Sequence, residues 1–284
     1  MISGAALIEH VEFLTSVGPR CARHPGAVVD TLAYLADALE GFGYSVVAQS
    51  YGSGPHQVNL LAQLTGHCAD LPILEVGAHW DSVPGSPGAD DNASGVAGVL
   101  EVARCLREVG PPARSVRFCL FAEEEPEPGM VGSTAHVELL AGQAVDGLIA
   151  LEMIGYRSRE PGSQSGMPRV PGMFSSLRVG DFVSVVADRR SDGYARAFRR
   201  GAARCAPQLR VVPVRWIGGM VKDAARSDHS PYWRSGRKGL LVTGTANLRN
   251  PHYHLATDMP QTLDYAFLTD VARAVAGTVS ILAG

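Results

Sequence analysis

Residues 76–95, VGAHWDSVPGSPGADDNASG, constrain this chain more than any other stretch. They open with His79 and Asp81 at the end of an apolar run and close with Asp90 and Asp91, just ahead of a Gly- and Ala-rich helical pattern. Residues 71–78 are short and almost continuously apolar, as in a strand buried on both faces. Open α/β sheets place ligands at the carboxyl ends of such strands, and here that end carries a histidine. Taken alone, a His-x-Asp is weak evidence and reads more readily as a hydrogen-bonded pair than as a metal site, so the weight falls on the rest of the chain.

The same arrangement recurs. Residues 115–121 predict a strand that ends in Glu123-Glu124-Glu125-Pro126, and residues 145–153 predict another with Glu152 at its end. Residues 94–109 have helical spacing through Val96, Val99, Leu100, Ala103 and Leu106. Residues 27–39 predict an amphipathic helix stopped by Gly41 and Gly43. Residues 44–51 and 58–64 read as an antiparallel hairpin at a sheet edge. Further strands are expected at 181–187, 209–215 and 239–243, and helices at 192–205 and from 263 toward 282. The fold class is therefore α/β, a mixed, mostly parallel β-sheet sandwiched by helices.

With 284 residues, 46% of them hydrophobic and 19% charged, the chain can bury one large core, and residues 1–284 are expected to form a single domain. A formal charge of -3 and the lack of any Lys/Arg run exclude a nucleic-acid footprint. No apolar run approaches the ~20 residues that span a bilayer, so no membrane partner is expected. The N-terminus lacks the basic start and cleavage site of a leader, which predicts a cytoplasmic protein. Five widely spaced cysteines without a C-x-x-C point to neither a disulfide framework nor a thiolate zinc site, and Cys105 and Cys119 read as buried thiols.

A two-metal hydrolase needs two cations sharing an anionic ligand, open positions for water and substrate, and a base. His79 can supply a ring nitrogen while its other nitrogen donates to Asp81. Asp91 is a candidate bridge. Glu124 and Glu125 are adjacent, so one can bind metal while the other stays free as base. Glu152 and His254 complete the set. Ligands of this type suit Zn²⁺, with Mn²⁺ or Co²⁺ open as alternatives.

In this order the motifs resemble the M28 family of co-catalytic zinc aminopeptidases: Gly77-Ala78-His79-Trp80-Asp81, Asp90-Asp91-Asn92-Ala93-Ser94-Gly95, Glu124-Glu125, Leu151-Glu152-Met153 and Tyr253-His254. The resemblance implies a zinc-exopeptidase-like fold and two Zn²⁺ per chain. It places His79 and Glu152 on one ion, Glu125 and His254 on the other, and Asp91 between them. It also implies a non-prolyl cis peptide after Asp91, Glu124 as general base and Tyr253 as a phenol that polarises the scissile carbonyl. Pro126 sets this register; the other register puts base and ligand on Glu123 and Glu124. Two positions depart from the pattern: Glu152 stands where better-known members carry Asp, and Gly244 where some relatives carry an acid.

The expected activity is release of N-terminal residues from a peptide or aminoacyl-amide substrate. A single-zinc glutaminyl-cyclase-like enzyme and a catalytically inactive peptidase-like binding protein are the alternatives. Residues 155–178, rich in Gly, Ser and Pro, are expected to form a rim loop, with 167–177 walling the pocket. Several residues read more plainly: Asp90 as a turn residue, Asp228 and His229 as a helix cap, Glu123 as a supporting or solvated acid. His10, His24, His56, His67 and His136 are expected at the surface, and Arg157, Arg159, Arg169 and Arg178 as solvated loop charges.

Overall fold

The computed structural model describes residues 1–140, 142–165, 177–215 and 222–284. Its strands are β1 (Val46–Ser50), β2 (Val58–Leu64), β3 (Ile73–His79), β4 (Val116–Phe121), β5 (Val145–Glu152), β6 (Val183–Ala187), β7 (Val211–Arg215) and β8 (Lys238–Thr243). All eight lie in one sheet in the order β1-β2-β4-β3-β5-β8-β6-β7. The central four, β4, β3, β5 and β8, run parallel, so Phe121, His79, Glu152 and Thr243 finish at one edge. β2 pairs antiparallel with β1 and β4, as the hairpin predicts.

The chain steps from β3 to β4 on one side, then crosses back over β3 to reach β5. That reversal opens a crevice above the carboxyl ends of β3 and β5. Helices α1 (Gly4–Ser16), α2 (Pro25–Gly41), α3 (Gly95–Val109), α5 (Asp192–Cys205) and α7 (Tyr265–Ala283) cover one face with a large aliphatic core. α4 (Val131–Leu139) and α6 (His229–Arg234) cover the other, over Phe121, Leu148, Ala150 and Leu241. β3 and β5 are buried along nearly their whole length, which is why they read as apolar runs rather than alternating ones. α7 is long and apolar enough to cross a membrane by composition, but it packs on α3 and α5 with 61% of that window buried.

Some expectations change. α1 and α4 were not expected. His10 and His136 are buried, not at the surface, while His24 and His67 are exposed. Cys119 is buried as expected, but Cys105 is only half-buried. Arg157 is no free loop charge: it donates to Asp264 Oδ2 and lies over the Phe267 ring. Arg169, and residues 167–176 of the expected pocket wall, lie outside the described residues.

Candidate metal centre

The parallel strand ends bring the expected residues together. His79 closes β3 with its side chain fully buried. Its Nε2 lies 3.3 Å from Glu152 Oε2 at the end of β5 and 3.6 Å from Asp91 Oδ1. On the other side of Asp91, Oδ2 lies 3.2 Å from His254 Nε2, which is itself 3.0 Å from Glu125 Oε2. Asp91 thus stands between two His–Glu pairs. Its carboxylate is presented by the kinked segment Ala89–Ser94, in which Asp91 and Asn92 leave helical geometry and share a cis peptide.

The supporting bonds account for this placement. Asp81 lies 3.4 Å from His79 Nδ1, and its two oxygens accept from the backbone N–H of Glu124 (3.1 Å) and Glu125 (3.2 Å). One carboxylate thereby orients both the histidine and the acidic pair. Glu123 turns away, at φ 52°, toward Tyr51, Gln57 and His56. Asn92 donates to Leu151 O and accepts from Met153 N–H, tying the kink to the end of β5. Ser227 Oγ donates to Glu152 Oε2 at 2.8 Å.

Sequence reading missed several of these supports. Asp90 is more than a turn residue: its buried carboxylate accepts from Gly155 N–H, Tyr156 N–H and Asn250 Nδ2. Asp258 accepts from the N–H groups of Asp90 and Asp91. Arg20, wholly buried, donates to the carbonyls of Leu14, Trp80, Pro87 and Gly88 and so fixes the loop ahead of the kink. Asp228 stands at the N-cap position of α6 but makes no capping bond. Gly244 has a steric reason: a Cβ there would lie 2.3 Å from Met153 O, leaving no room for an acid.

The electrostatics of the cluster favour a cation. Burial pushes Glu124 well above the usual carboxylate range, and burial with the Asp91 charge takes Glu125 to about 8. Burial likewise raises Asp228 and Asp258 to about 7. It should lower the histidines, yet Glu152 and Asp81 hold His79 well above its ordinary value, and Asp91 and Glu125 take His254 to about 10. A site whose acids hold protons and whose imidazoles gain them carries more negative charge than its own groups neutralise. Among the described residues, both ring nitrogens of His79, Asp91 Oδ2 and Glu125 Oε1 are also buried without a hydrogen-bond partner. His79, Asp91 and Glu125 each offer an atom within 4.8 Å of the others. Unmet lone pairs on nitrogen and carboxylate oxygen, with no thiolate, fit zinc.

Beside the cluster opens a cavity of about 380 Å³. Asp91, Glu124, Glu125, Glu152, Tyr253 and His254 line one side, and Val186, Val214, Ala224, Leu241 and Leu248 form an apolar wall. An acid-rich, histidine-bearing crevice at parallel strand ends, opening on an apolar pocket, is the arrangement of an α/β metallohydrolase. Residues 59–279 match the model of peptidase family M28, and the chain belongs to that family, a zinc metallopeptidase that hydrolyses peptide bonds.

The chain is 33% identical over 287 residues to the uncharacterized protein YfbL of Escherichia coli K12, covering 96% of this chain and 85% of YfbL. It is 26% identical over 266 residues to leucine aminopeptidase 1 of Arthroderma otae, covering 88% of this chain but only 64% of the fungal protein. In fold it resembles the Legionella pneumophila LapA aminopeptidase (TM-score 0.78, 21% identity, 100% of this chain and 73% of that one). It also resembles the Fimbriiglobus ruber glutaminyl cyclase (TM-score 0.71, 19% identity, 99% and 95%).

Proposed function

We propose that the chain is an aminopeptidase holding two zinc ions, one on His79 and Glu152, the other on Glu125 and His254, with Asp91 shared. The carrying observation is the position of Asp91, with one oxygen turned to each His–Glu pair. Mn²⁺ or Co²⁺ fits the same donors. Bound at such positions, metal ions polarise a carbonyl and lower the pKa of water.

The chain's own groups supply the rest. Glu124, half-buried, lines the cavity without being one of the four terminal ligands, so its carboxylate is the base that takes a proton from the attacking water and returns it to the leaving amine. Tyr253 faces the same cavity and donates from its hydroxyl to the carbonyl oxygen as charge develops there. The concentration of carboxylates receives the substrate's free ammonium, and the apolar wall receives its first side chain.

Residues 1–284 form one catalytic unit in this reading, with the described residues 155–165 and 177–178 on its rim. Gln164 and Ser165 support that role, because both donate to Leu248 O, on the cavity wall. The test is mass spectrometry of a mixed peptide pool incubated with the protein, with a chelator-treated control. Chelator-sensitive loss of single N-terminal residues is the expected result. Ammonia loss from peptides beginning with Gln would point to a cyclase, and no change to a binding protein.

A further inference from the structure

Arg226 follows the short turn Lys222–Ala225, directly before the Ser227-Asp228-His229 run that opens α6, and lines the cavity beside Tyr253. Its Nη2 donates to the Tyr253 phenol oxygen at 3.1 Å, and its Nη1 to Asn247 Oδ1 at 3.5 Å. Asn247 belongs to a separate cavity-wall turn, Ala246–Leu248, so the guanidinium is drawn between two elements that both face the substrate space. The Tyr253 ring is stacked on His254, with centroids 3.7 Å apart and planes at 21°. The ring thus lies against His254 while Arg226 meets its hydroxyl from the exposed side.

A phenol has one hydrogen to give and lone pairs to accept with. When a guanidinium, which only donates, takes a lone pair, the phenol's own hydrogen must point elsewhere, and the cavity is the side Tyr253 shares with Asp91, Glu124 and Glu125. A positive charge behind the oxygen also favours the electron shift that strengthens the phenol as a donor to a developing oxyanion. We propose that Arg226 is a positioning residue for Tyr253: it fixes the hydroxyl as a donor toward the scissile carbonyl oxygen and reinforces it in the transition state. The inference rests on the aminopeptidase reading above.

The experiment is a double-mutant cycle. kcat and KM for leucine p-nitroanilide are measured for the wild type, Arg226→Gln, Tyr253→Phe and the double variant, with zinc per chain determined for each. Arg226→Gln is expected to lower kcat about tenfold, the loss of one charge-assisted hydrogen bond, while KM and zinc content stay near wild type. Added to Tyr253→Phe, it should cost nothing further, because the group it acts through is gone. Arg226→Lys, which keeps the charge, should recover part of the loss. The inference is overturned if Arg226→Gln costs the same factor with and without the Tyr253 hydroxyl, if it raises KM alone, or if zinc is lost with it. A wild-type enzyme that releases no p-nitroaniline overturns the aminopeptidase reading and this inference with it. An active wild type with independent effects overturns only the latter.

Discussion

Two buried polar clusters hang on β3, one around Glu75 and one around His79, four residues apart on the same face of the strand. Both gather residue types that bind metals, and Glu75, Cys119 and His136 are as tightly grouped as His79, Asp91 and Glu125. They differ in what satisfies them. Around Glu75 the protein provides the donors: Arg117 at 2.9 Å, His136 at 3.1 Å and Tyr232 at 2.6 Å, while His136 Nδ1 meets Gln49 Oε1 at 2.9 Å. Around His79 acids and imidazoles face one another at ion-pair distance, yet among the described residues both its ring nitrogens and two carboxylate oxygens have no hydrogen-bond partner. Ligand identity marks both clusters alike; unmet hydrogen-bonding capacity separates a structural knot from a place prepared for cations.

That contrast can be broken most sharply at Glu124. Glu124→Gln should lower turnover by about 10²–10⁴-fold, the range for a lost general base, with metal content unchanged by elemental analysis. Full activity would remove Glu124 from its role. At the other cluster the expected losses are reversed: Glu75→Gln should leave zinc per chain unchanged but destabilise the fold by about 3–5 kcal/mol in urea unfolding, since it breaks a buried charged network. Loss of zinc from that variant would erase the distinction.

Metal removal tests the contrast from the opposite side. Zinc held at a hundred times its Kd should add ~2.7 kcal/mol to the stability of the stripped protein, and the same gain should appear in Glu75→Gln. The smallest effect is in pH. Burial would raise the Glu75 pKa, but His136, Arg117 and Tyr232 together hold it below its ordinary value of 4.5. A depressed carboxylate stabilises the fold above its unfolded pKa and loses that contribution as pH falls through the folded one. The gap in stability between wild type and Glu75→Gln should therefore narrow below about pH 4, as followed by unfolding at a series of pH values.

Much of the site was legible because its ligands end strands that the sequence marks clearly. β3, β4 and β5 are buried apolar runs, parallel pairing puts their ends on one edge, and an acid or histidine follows each. α5 and β2 matched their expected bounds. α1 was missed although Leu7, Val11 and Leu14 recur at helical spacing. α4 was not, because the face it buries is Gly132, Ser133 and His136, and no apolar stripe marks it. His136 itself read as a surface histidine because its partners Gln49 and Glu75 are 87 and 61 residues away in the chain. Asp258 is a similar case: the two N–H groups it receives lie 168 and 167 residues away. Such pairings come from topology, and no local spacing encodes them.

The reach of Arg20 bears on where this protein can be cut. The match to the family model spans residues 59–279, and a fragment starting at 59 would keep every proposed ligand. It would lose β1, α1, α2 and the Arg20 side chain, which donates to the carbonyls of Trp80, Pro87 and Gly88 ahead of the kink. The extent of that match is therefore not a boundary of folding. A trimmed peptidase would carry the full inventory of ligands on a loop held from the β5 and Asp258 side alone, without its buried arginine anchor.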